Sequence, residues 1–132
     1  MVATGGSPWS DIAVDYAIAL AQAERLTLDF LHVLPKLTRR HQDMDDIEGR
    51  QILARAETRA ADAGVSKTMR LAHGDVTTTI AETALKQQCD GIILGLRGAS
   101  GWKRLMLGDI ANAVIVSTGL PVLVVKGNMA MR

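Results

Sequence analysis

The chain has 132 residues, of which 48% are hydrophobic, 22% charged and only 3% aromatic, the make-up of one globular domain with an aliphatic core. A formal net charge of +1 argues against the basic excess of a dedicated nucleic-acid or membrane-surface protein, and no apolar run approaches the length of a membrane span. Cys89 is the single cysteine and has no CxxC or Cys/His partner, so the sequence reads as a soluble, cytoplasmic protein with a buried, inert thiol.

Val2-Ala3-Thr4 reads as a short first strand and Gly5-Gly6-Ser7-Pro8 as a turn, with Ser7 as helix N-cap and Pro8 as first helical residue. Ala13, Ala17, Leu20 and Ala21 then share one face of a helix that reaches about Ala23. Leu26 to Leu34 is a largely buried strand, ended by Pro35. Lys36 to Asp46 is polar, with Arg39, Arg40 and His41 set against Asp43, Asp45 and Asp46, and reads as a loop into a second helix. That helix buries Leu53, Ala56, Ala60 and Ala63 and stops at Gly64.

A third strand spans Lys67 to Ala72, and His73-Gly74-Asp75 turns into a third helix with Asp75 as N-cap and Val76, Ile80, Ala84 and Leu85 at helical spacing. Asp90 to Leu94 is the fourth strand. Ile110, Ala113, Val114 and Ser117 suit a short fourth helix, Gly119-Leu120-Pro121 introduces a last strand from Val122 to Val125, and residues 126–132 form a frayed tail. Regular strand-helix alternation with apolar strands predicts an α/β fold: one doubly wound domain whose five-stranded parallel sheet carries helices on both faces. Periodicity alone leaves the strand order open, and a flavodoxin-like order fits the same pattern.

Between the fourth strand and fourth helix lies Gly95-Leu96-Arg97-Gly98, nine further residues, then Gly108-Asp109. A glycine-punctuated loop that leaves a buried strand and feeds a helix N-terminus presents bare amides to an anion, because residues without Cβ take positive φ and admit close approach. Gly-x2-Gly-x9-Gly resembles the pattern of the nucleotide-binding universal stress proteins, in which Ser or Thr follows the last glycine. The resemblance extends along nearly the whole chain: residues 2–10 look like that family's first strand and turn, Leu31-His32-Val33 like the end of its second strand, and residues 121–125 like its last. It implies a 3-2-1-4-5 sheet with the ligand at the carboxyl ends of strands one and four. Family chains carry several more apolar residues ahead of the first strand, so the start of this chain reads as clipped and its first strand as weakly anchored.

The resemblance implies ATP or a related adenine nucleotide, with or without Mg2+, at Gly5, Val33, Gly95, Arg97, Gly98, Gly108 and Asp109, with the Val33 backbone near the base. Two positions depart from it. Gly5 stands where nucleotide-binding members have an Asp that contacts the nucleoside, and Asp109 stands where they have Ser or Thr. A carboxylate against a phosphate costs about 1 to 4 kcal/mol for unit charges at contact in a wet site, unless Mg2+ bridges them. Asp109 also suits a helix N-cap, and the two roles are compatible. Arg97, Lys103 and Arg104 supply local positive charge. His32 is the histidine nearest the expected ligand, more naturally a satisfied core or rim residue, and no metal site is assigned.

No P-loop, nucleophile elbow, His-Glu-x-x-His or dinucleotide fingerprint is present, and no residue qualifies as a positioned base, so the sequence reads as a binding protein rather than an enzyme. If the order holds, Val122 to Val125 is an apolar edge strand, and pairing with a second copy through it gives a homodimer. A competing reading is a dimeric protein-interaction module without nucleotide.

Overall fold

Phe30 and Leu31 are neighbours in the chain, both essentially inaccessible, and they serve opposite faces of one sheet. The computed structural model describes residues 1–36, 39–96 and 108–126, with residues 39–42 placed by backbone alone. In chain order these form β1 Val2–Ala3, α1 Pro8–Glu24, β2 Leu28–Leu34, α2 Arg39–Asp62, β3 Lys67–His73, α3 Val76–Lys86, β4 Ile92–Gly95, α4 Asp109–Ser117 and β5 Val122–Val125. All strand pairings are parallel and the order is β3-β2-β1-β4-β5. Val2, Val14, Ala17, Ile18, Phe30, Leu53 and Ala56 form the core under α1 and α2. Leu31, Ile80, Ala84, Ile92, Leu94 and Val114 form the core under α3 and α4. Alternation along each strand feeds both layers, as a sheet covered on two faces requires. No helix among the described residues is long and apolar enough to cross a membrane.

Local signals set most of the ends. Ser7 caps α1 by accepting from the Ser10 amide at 3.1 Å, with Pro8 next. Gly64 ends α2 with φ +71, where a side chain would be strained. Asp75 caps α3 by accepting from the Thr78 amide at 3.0 Å. That bond, with one from the Thr78 side chain, holds the Asp75 carboxyl below its ordinary value near 3.8. The cap is therefore complete above that value and is lost as pH falls through the lower folded one.

Four local expectations are corrected. α2 begins at Arg39 rather than after Asp46: the stretch is polar but holds neither proline nor glycine until Gly49, so nothing breaks a helix there. Leu26 is not in β2 and is 42% exposed, because the left-handed residue Arg25 still closes α1 and the Leu26 amide bonds the Ala21 carbonyl. Leu85 is 60% exposed, since α3 buries Ile80, Ala81 and Ala84 and Leu85 falls off that face. Cys89 is half-buried, with its Sγ 3.4 Å from Asp29 Oδ2. Burial pushes its thiol up, the N-terminal ammonium pulls the other way, and Asp29 adds to the rise.

Candidate functional site

Strand order reverses between β1 and β4, so the crossovers leaving their carboxyl ends part to opposite faces and open a crevice. A cavity of ≈ 320 Å³ lies there. Its floor is the ends of three strands: Ala3 and Thr4 with Gly5, Leu31 to Leu34 with Pro35, and Leu94 with Gly95. Ser10 of α1, Asp45, Glu48 and Ile52 of α2, Val76 and Ile80 of α3, and Ile110 and Ala111 of α4 complete the walls. The lining is mostly aliphatic with a few polar groups, the composition expected of a small-molecule site.

Close backbone packing shapes this cavity. The Thr4 amide donates to the Leu31 carbonyl at 2.9 Å, which carries the β1–β2 ladder one residue past β1. The Thr4 carbonyl then accepts from His32 Nδ1 at 2.7 Å. A Cβ on Gly95 would stand 2.7 Å from the Trp9 carbonyl oxygen and 2.8 Å from its carbon, so β4 and the first turn of α1 meet backbone to backbone. The Gly108 amide donates to the Leu96 carbonyl at 2.8 Å and ties the start of α4 to the end of β4.

These contacts revise two expectations about the glycine loop. Gly95 and Gly108 do not have positive φ; Gly95 is needed for packing, and the Gly108 amide is already bonded. Asp109 is not the N-cap. Gly108 takes that place in extended conformation, makes no side-chain cap, and leaves Asp109 exposed as the first helical residue. Among the described residues nothing closes the first-turn amides of α4, which carry the positive end of the helix dipole. Asp109 complements that dipole without closing the end.

Of the residues expected at a nucleotide site, Gly5, Val33 and Gly95 lie on the cavity wall. Gly108 and Asp109 lie just before Ile110 and Ala111, which line it. Arg97 and Gly98, with Lys103, Arg104 and the tail beyond Lys126, are outside the described residues. His32 is nearly buried and bonded through Nδ1, the core or rim placement expected, and it also borders the cavity. Sequence reasoning passed over Asp45, Glu48 and Ile52. Their i, i+3, i+7 spacing marks one helix face, and a helix begun at Arg39 would have made it visible. Next to the cavity a second cleft lies between Gly5-Gly6-Ser7-Pro8 and α2, where Arg55 donates to the Gly6 carbonyl and Asp11 Oδ1, both at 3.3 Å. No cluster of three metal-ligating side chains occurs among the described residues.

Comparison with known proteins gives a consistent answer. The model of the universal stress protein family matches residues 1–126. Universal stress protein YxiE of Bacillus subtilis (strain 168) is 30% identical, over 96% of this chain and 97% of its own. The universal stress protein of Archaeoglobus fulgidus in complex with dAMP superposes with TM-score 0.76 at 21% identity, covering 95% of this chain and 94% of that one. A universal stress protein in complex with cAMP gives 0.74 at 24%, over 95% and 93%. With this match over nearly its full length and this strand order, the chain belongs to the universal stress protein family.

Proposed function

We propose that this chain is a cytoplasmic, non-catalytic stress-response protein that binds an adenine nucleotide, ATP foremost, in the cavity at the strand reversal. The observation that carries the reading is the placement of Gly5, Val33 and Gly95 on one cavity that runs to the uncapped start of α4. The residues present fit such a ligand. Val33, Val76, Ile80 and Leu94 offer aliphatic surface to a base, and the open amides of α4 offer donors to phosphate. Relatives of the same fold bound to dAMP and cAMP support this reading. Among the described residues no cluster cages Mg2+; Asp109 stands at the start of α4, and Mg2+ usually binds through one or two carboxylates together with phosphates. It would then arrive with the nucleotide.

Denaturing the purified protein and identifying what it releases, then titrating the apo form calorimetrically with Mg-ATP and AMP, tests the proposal. Copurified nucleotide or micromolar binding, abolished by Gly98→Val, is the expected result. No released nucleotide and no heat at millimolar ligand would defeat it.

One observation favours a second role beside the first. β5 is an edge strand, Leu123 on it is 40% exposed, and Ile115 and Val116 at the end of α4 are exposed too. We propose that a second copy pairs along Val122–Val125 and covers this apolar edge. Sedimentation velocity is expected to give twice the chain mass of 14.2 kDa, reduced to one by Leu123→Lys. A single-chain mass for the unaltered protein at micromolar concentration would remove the dimer.

A further inference from the structure

α2 lies close over the ends of β2 and β3 because Gly49 lets it. A Cβ there would stand 2.8 Å from Leu71 Cδ1 and 2.9 Å from His32 Cδ2. This approach brings Asp45 and Glu48, three residues apart on one helix face, over the cavity. Between them Asp46 is bonded to His73 Nε2 at 2.6 Å, which pins this half of α2 to the end of β3. Among the described residues, neither the Asp45 nor the Glu48 carboxylate has a hydrogen-bond or ion-pair partner.

His32 supplies an independent pointer. It is only 7% exposed and borders the same cavity. Its Nδ1 faces a carbonyl and so must carry a proton there, which in the neutral ring leaves Nε2 as an acceptor. No described group bonds that nitrogen.

We propose that this wall reads ribose: the carboxylates of Asp45 and Glu48, with His32 Nε2 behind them, accept hydrogen bonds from the 2′- and 3′-hydroxyls of a ribonucleotide. The inference rests on the nucleotide reading above and adds sugar selectivity to it. A wall of acceptors is satisfied only by a ligand that donates, and a vicinal diol donates twice. Phosphate carries acceptors alone, so the same wall turns it toward the open amides of α4. Gly5 leaves the way clear, with nothing within 4 Å of the place its Cβ would take. An acidic side chain on a ribose hydroxyl is a recurrent solution in doubly wound sheets, supplied there near the end of the second strand. Here the next helix supplies it.

Calorimetric titration of the full chain with AMP and with 2′-deoxy-AMP is the test, on the unaltered protein and on the Asp45→Ala, Glu48→Ala double variant. AMP is expected to bind about tenfold tighter than its 2′-deoxy form, the difference made by losing one hydrogen bond to a charged acceptor. In the double variant the two ligands bind alike: AMP falls to or below the affinity of 2′-deoxy-AMP for the unaltered protein, and 2′-deoxy-AMP weakens as well because its 3′-hydroxyl has lost its acceptor. Equal affinities in the unaltered protein would overturn ribose selection and leave the nucleotide site standing. A preference that survives in the double variant would assign it to other groups and overturn the role of α2. Failure of both ligands to bind would overturn the nucleotide reading and this inference together.

Discussion

Replacing Gly95 with alanine is expected to destabilise the chain by about 3 kcal/mol, at the upper end for an overpacked site. Most such clashes are relieved by a rotamer change, but here the added methyl meets backbone: the Trp9 carbonyl at 2.7 Å and the Ser10 amide nitrogen at 3.0 Å. Relief requires the first turn of α1 to move off β4, which also opens the cavity wall that Ser10 and Gly95 share. Urea titration followed by circular dichroism measures the loss. Gly5→Ala is the matched control, since nothing lies within 4 Å of its added methyl and its φ is not positive; it is expected to stay within about 0.5 kcal/mol. Equal midpoints for Gly95→Ala and the unaltered chain would mean that α1 and β4 do not touch as described.

Phe30→Ala is expected to cost about 4 kcal/mol, the range for deleting a buried aromatic ring and leaving part of its cavity behind. Phe30 is the only phenylalanine in the chain and is fully buried in the layer under α1 and α2, where Val14, Ala17, Leu53 and Ala56 are mostly small. Small neighbours on rigid helices collapse poorly into a void. Against a typical net stability of about 5 to 15 kcal/mol, the loss brings a domain of this size near its unfolding threshold at 37 °C. Phe30→Leu is expected to lose less than half as much in the same titration. A loss below about 1 kcal/mol for Phe30→Ala would show that the ring does not fill this layer.

The layer plan was legible because strand and helix periods alternate cleanly; the order β3-β2-β1-β4-β5 was not, and entered through the likeness of residues 2–10 and 121–125 to a known family. The start of α2 was hidden because a helix polar on all sides has no apolar stripe to mark it, and Asp45 and Glu48 were hidden with it. At the start of α4, aspartate suits the cap and the first helical position alike, so residue type could not choose between Gly108 and Asp109. The need for glycine at position 95 was legible but its cause was not. Local sequence suggests freedom of φ, whereas the constraint comes from the Trp9 carbonyl, 86 positions away in the chain. Contacts of that range leave no periodic trace.

At the centre of the sheet, β1 pairs with β2 at Val2 and Ala3, extended by the Thr4 amide to the Leu31 carbonyl, and with β4 at Val2, flanked by the Ile93 amide on the Met1 carbonyl. β2 and β3, by contrast, stay in register from Leu28↔Lys67 to Leu34↔His73. The molecule is thus two well-laddered halves joined along a narrow seam, and the cavity straddles it, with Val33 on one side, Gly95 on the other and Gly5 between them. A ligand that touches all three acts as a rivet: filling the cavity and holding the halves together become a single equilibrium, visible as slower amide hydrogen exchange across the seam.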